Sequence, residues 1–66
     1  MPRNFEELAE MIAARDSITY EEALSAIHDA AIDMEEAFYN GNLNEVEDIL
    51  RIDLGLEPDY LDLFIF

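Results

Sequence analysis

TYEEALSAIHDAAIDMEEAFYNGN, residues Thr19 to Asn42, is the stretch on which the fold of this chain turns. Thr19 followed three residues later by Glu22 has the form of a capping box, in which each side chain takes up the other's free backbone amide at a helix start. Asn40, Gly41 and Asn42 supply the opposite signal, because glycine enters the left-handed conformation that closes a helix. Between those marks Tyr20, Leu24, Ile27, Ala31, Met34 and Phe38 step by four, three, four, three and four, a heptad seam. Ala23, Ala30 and Ala37 run beside it at sevens, which keeps one flank small enough for a second helix to come close. A central helix over about 20–39 follows.

The same grammar extends in both directions. Asn4 in NFEE is a cap for a first helix over about 5–15, with Glu7 positioned to reach back to it. Phe5, Leu8 and Ile12 form its inward stripe, with Ala9 and Met11 alongside. In NLNEVEDILRIDLG, Asn42 or Asn44 is the cap and Gly55 the stop of a third helix over about 44–54. Val46, Ile49, Leu50 and Leu54 share one face of it. Pro58 then suits a new first turn, so a terminal helical turn is expected over about 59–65. If DYLDLFIF is helical, Leu61, Phe64 and Ile65 lie on one side, spacing suited to folding back over the core. Alternation in the same residues also fits a strand, for which the chain offers no partner.

The expectation is therefore one all-α domain spanning 1–66, a small three-helix bundle with a terminal turn. The expected core is Phe5, Leu8, Ile12, Leu24, Ile27, Ala31, Met34, Phe38, Val46, Ile49, Leu50 and Leu54. Leu, Ile, Val and Phe make up about 30% of the residues, above the roughly 20% below which a highly charged chain stays disordered. Even so, a chain this short builds a core that only narrowly outweighs its entropy.

Composition excludes several functions. With no cysteine, disulfides, thiolate catalysis and cysteine-held zinc are unavailable, and a reducing cytoplasm is the expected setting. No apolar run is long enough to span a bilayer, and the start has no signal-peptide layout, so no membrane role is expected. Seventeen acidic residues against three basic ones give a net charge of -14. Direct nucleic-acid binding fails on that charge, Arg3, Arg15 and Arg51 being too few and too scattered to neutralise phosphates. A charge-driven partner must instead be basic.

The chemical inventory is thin. Ser25, His28 and Asp29 bring together the residue types of a hydrolytic triad, but neighbours on a helix diverge by about 100°, so Asp29 cannot orient His28 as a triad requires. No calcium-loop spacing begins at Asp16, and His28 lacks the Glu three residues before it that a di-iron helix carries. Glu35, Glu36, Glu45, Glu47 and Asp48 could hold a divalent ion loosely across the YNGN turn, yet a solvated acidic face is the ordinary reading of such residues. Both glycines are accounted for by helix ends, leaving none for a phosphate loop. No enzyme activity, cofactor or metal site is expected.

The acids themselves are the candidate site. Glu21, Glu22, Asp29, Asp33, Glu35 and Glu36 on the central helix, with Glu45, Glu47 and Asp48 on the third, can meet a basic surface and imitate the charge density of duplex DNA. Tyr60, Phe64 and Phe66 are candidate apolar anchors for such a complex. DSITYEEA (Asp16–Ala23) and DLGLEPDYL (Asp53–Leu61) together resemble small acidic proteins of unassigned function encoded by phages and prophages. That resemblance implies the cytoplasm of a bacterial host, where short acidic proteins occupy host proteins, as anti-restriction and anti-CRISPR inhibitors do; it transfers no catalytic residue.

Two functions remain in view on the sequence. One is a non-enzymatic acidic module that occupies a basic, nucleic-acid-binding host surface as an inhibitor or DNA mimic. The other is a structural or regulatory homo-oligomer, such as a dimer built on the heptad seam or the tail, whose acidity only maintains solubility. Ile32 and Ile52 fall off the inward stripes and favour self-association.

Overall fold

The chain forms three α-helices and a short 3-10 helix: α1 (Phe5–Asp16), α2 (Tyr20–Tyr39), α3 (Leu43–Leu54) and η1 (Pro58–Leu63). This is a computed structural model, and it describes residues 1–64. The described residues contain no strand. The architecture is the expected all-helical one, with α2 in the middle and α1 and α3 packed against it.

Each helix begins and ends for a local reason. Asn4 Oδ1 accepts from the Glu7 amide at 2.9 Å, opening α1. The Glu7 carboxylate does not turn back to Asn4. It accepts instead from the guanidinium and, next, the amide of Arg3, each at 3.0 Å, which holds it below the usual carboxylate range. At α2 the capping box closes in full: Thr19 Oγ1 accepts from the Glu22 amide at 3.0 Å, and Glu22 Oε1 accepts from the Thr19 amide at 2.9 Å. Of the two candidates for α3, Asn42 is the cap, accepting from the Glu45 amide at 3.2 Å, so the helix begins at Leu43.

The far ends close through left-handed residues. Gly41 (φ 75°) lets its amide donate to the Phe38 carbonyl and the Asn42 amide to that of Ala37, the paired bonds of a Schellman turn. Gly55 (φ 66°) ends α3, its amide donating to the Arg51 carbonyl at 3.0 Å and the Leu56 amide to that of Leu50 at 3.2 Å. α1 runs one residue beyond expectation, to Asp16, because Ser17 adopts the same left-handed geometry (φ 58°) without being glycine.

The core holds Leu8, Ala9 and Ile12 of α1, Ala23, Ile27, Ala30, Met34 and Ala37 of α2, and Val46, Leu50 and Leu54 of α3, closed by Leu56 and Phe64. On α2 the buried stripe is rotated from the seam toward its alanine flank. A helix with neighbours on two sides buries the face where both approach, and alanine permits the closest approach. Tyr20, Leu24 and Ala31 are consequently half-buried, as are Phe5 and Ile49. Phe38 is corrected from core to surface: inward-facing Ala37 turns the next residue outward, leaving Phe38 40% exposed with its ring 5.6 Å from that of Tyr39.

The tail lies back on the bundle as a 3-10 helix, starting one residue before the expected turn because Pro58 occupies its first position. Phe64 is 3% exposed, its ring 5.0 Å from that of Phe5. The Tyr60 hydroxyl donates to Met11 Sδ at 3.7 Å. The expected span to 65 and the placement of Ile65 lie outside the described residues.

A third tie joins the ends of α1 and α3. The Arg15 guanidinium donates to the Leu54 carbonyl at 2.7 Å and the Gly55 carbonyl at 3.2 Å, while Asp16 holds its other edge at 2.7 and 2.9 Å. Helix-end carbonyls have no partner within their own helix, and a cation there also suits the dipole. Arg15→Ala should lower unfolding stability by about 1 kcal/mol, because bonds to a charged donor are worth more than that only when dry. Urea unfolding measures it. An unchanged midpoint would mean that water serves the two carbonyls equally well.

Candidate protein-binding surface

All nine carboxylates proposed for partner contact, Glu21, Glu22, Asp29, Asp33, Glu35, Glu36, Glu45, Glu47 and Asp48, are exposed. They are not equivalent. Glu22 is bound to the Thr19 amide, which keeps its carboxyl below the usual range. Glu45 accepts from the Asn42 side chain at 3.0 Å, and Asp48 accepts from Arg51 at 3.0 Å. These three are occupied in holding helix ends or pairing within α3. Five of the other six stand on α2: Glu21, Asp29, Asp33, Glu35 and Glu36.

The few cations are consumed internally. Arg3 pairs with Glu7, Arg15 with Asp16 and Arg51 with Asp48, each at 3.0 Å or less. The Arg15 guanidinium holds the Asp16 carboxyl below the ordinary range. Three of the seventeen carboxylates are therefore ion-paired, and the remaining fourteen have no ion pair among the described residues. α2 itself contains neither lysine nor arginine.

The proposed apolar anchors fare differently. Phe64 is part of the core, against Phe5, and so its side chain is already used by the fold. Tyr60 is half-buried with its hydroxyl turned to Met11. Phe66 lies outside the described residues. In their place, the large apolar side chains that stand out from α2 and the start of α3 are Ile32 (64% exposed), Tyr39 (68%) and Leu43 (61%), with Phe38 beside them. The sequence marks Ile32 as off the inward stripe; Tyr39 carries no such signal, because its place at the end of the helix hides the face it belongs to.

His28 is exposed and lies against the Phe5 ring, centroids 5.7 Å apart. It borders an open hollow of about 510 Å³ between the start of α1, Leu24 of α2 and Asp62–Leu63 of the tail. Among the described residues no three His, Cys, Asp or Glu side chains come together to hold a metal, and that includes the acids flanking the α2–α3 turn. No helix among them is long and apolar enough to cross a membrane.

No family model, curated protein or solved structure matches the chain. Its functional reading therefore rests on its own surface. That surface is a field of unpaired carboxylates, most numerous on α2, on a body whose heptad seam is largely used internally: Ile27 and Met34 are fully buried within the chain.

Proposed function

We propose that this protein is a non-enzymatic acidic binding module that occupies a basic, nucleic-acid-binding surface of another protein, as an inhibitor or DNA mimic. The observation that carries the reading is the imbalance of pairing. Every arginine is matched to a carboxylate of its own chain, and fourteen carboxylates are left over. A surface of this kind repels phosphates and attracts lysine- and arginine-rich faces over the Debye length, roughly 8–10 Å near physiological salt. The resemblance of DSITYEEA and DLGLEPDYL to phage and prophage proteins adds the setting: the cytoplasm of a bacterial host, and a host defence or DNA-processing protein of the anti-restriction or anti-CRISPR target type.

The test is to capture the bound protein by cross-linking in the host, purify it, and titrate it with this chain in the presence and absence of duplex DNA. The expected partner is basic, loses affinity for the chain at least tenfold between about 50 and 200 mM salt, and releases it when DNA is added. A neutral partner, or affinity that does not respond to salt or DNA, would overturn the reading. Sizing of the free protein separates the two functions: a monomer supports the binding module, whereas a salt-independent homodimer would favour the oligomer.

A further inference from the structure

We infer that the outward face of α2 between Ile32 and Tyr39 is the contact helix of this module, and that its occupant is a protein surface offering two apolar sockets with lysine or arginine side chains between them. The inference rests on the acidic-module reading above and adds where contact occurs and what chemistry receives it.

Helical spacing sets the pattern. Ile32 and Tyr39 are seven residues apart, two turns along one line of α2, about 10 Å from each other. They are 64% and 68% exposed. Glu35 and Glu36 fall between them, three and four residues from each, so the face reads apolar, acid, acid, apolar. Opposite them the helix buries Ala30, Met34 and Ala37, which fixes this face outward. Helix recognition through anchors at such intervals, with charges setting register, is a recurrent mode.

Charge decides what covers the face. A second copy of this chain would set Glu35 and Glu36 against their own counterparts, and it has no unpaired arginine to place between them. Like charges facing one another across a desolvated interface oppose association. A cationic partner removes that conflict.

The helix end supplies a separate indication. α1 and α3 each carry an arginine in the last turn, Arg15 and Arg51, where a cation complements the dipole. α2 has no basic residue in its last turn and places Glu35 and Glu36 near its negative end. Those two carboxylates are unfavourable to the isolated helix, as residues kept for function at the expense of local stability are. Cations of a partner arriving there would relieve both the repulsion and the dipole.

Two synthetic helical peptides of equal positive charge test this by titration: one presenting leucines flanked by lysines, the other with lysine and no apolar residue. The leucine–lysine peptide should bind at least tenfold more tightly, with backbone NMR shifts centred on residues 32–39. The double variant Ile32→Ser with Tyr39→Ser should erase that preference while leaving the lysine-only peptide bound as before. Glu35→Gln with Glu36→Gln should weaken both peptides several-fold and flatten the salt dependence, whereas Glu6→Gln with Glu10→Gln, the same charge change on α1, should weaken them far less. Equal binding of the two peptides, or a preference that survives loss of Ile32 and Tyr39, would overturn the inference and leave the acidic-module reading standing. Binding of neither peptide at low salt would remove both. A dimer that the Ile32 and Tyr39 changes split into monomers would assign the face to a second copy and also overturn the inference.

Discussion

Phe64→Ala should unfold most of the population at room temperature. Phe64 is 3% exposed and packs on Phe5 beneath the end of the tail. Emptying a buried phenylalanine site costs about 3–5 kcal/mol. A single core at this chain length supplies roughly 3–5 kcal/mol in total, so the loss is as large as the whole. Phe64→Leu keeps much of the volume and should cost under about 1.5 kcal/mol, lowering the melting temperature by no more than roughly 12 °C. Circular dichroism melts of the three proteins give the order directly. If the alanine variant melted within a few degrees of the parent, the tail would be an ornament on a bundle stable without it.

Ala23→Leu should be the next most damaging change, for the opposite reason. Ala23 is fully buried on the flank of α2 where the neighbouring helices approach. Leucine has slightly lower helix propensity than alanine, so its intrinsic effect is small. Three extra carbon atoms in a filled space force displaced backbones or poor rotamers, at about 1–3 kcal/mol. Ala26→Leu, on the exposed side of the same helix, should change stability by less than about 0.5 kcal/mol. Urea midpoints of the pair separate packing from propensity. Equal midpoints would mean that the alanine flank leaves room and does not set the helix spacing.

These two positions also mark how far the sequence could be read. Helix limits were legible because their causes are local: Asn4, Thr19, Gly41 and Gly55 each act on residues within one turn. The facing of α2 was legible only to within one flank. Periodicity weights large side chains, and so it favours the line of Leu24 and Phe38 over Ala23, Ala30 and Ala37, which the packing buries. The tail's inward spacing of Leu61 and Phe64 is legible, but not which of two roles Phe64 takes; buried against Phe5, it cannot also serve as a partner anchor. The Arg15 clasp could not be foreseen, because its acceptors are carbonyls about forty residues away.

The candidate surface divides in the same manner. That the acids would be exposed follows from the cost of burying charge. Which of them are occupied is legible for Glu22 through its cap spacing, but not for Glu45, since the cap of α3 could be Asn42 or Asn44, nor for Asp48, whose pairing depends on the rotamer of Arg51. Ile32 was visible as an outlier to the inward stripe. Its pairing with Tyr39 across Glu35 and Glu36 required knowing which way the helix is turned.

The contact between Phe5 and Phe64 also gives the molecule a polarity. Phe5 and the tail gather over the Leu24–His28 part of α2, whereas Tyr39 stands at the helix's opposite pole. A fluorophore, affinity handle or surface linkage attached near residue 5 would stay with the closed pole and leave the Ile32–Tyr39 pole facing the solution, the orientation a binding measurement needs.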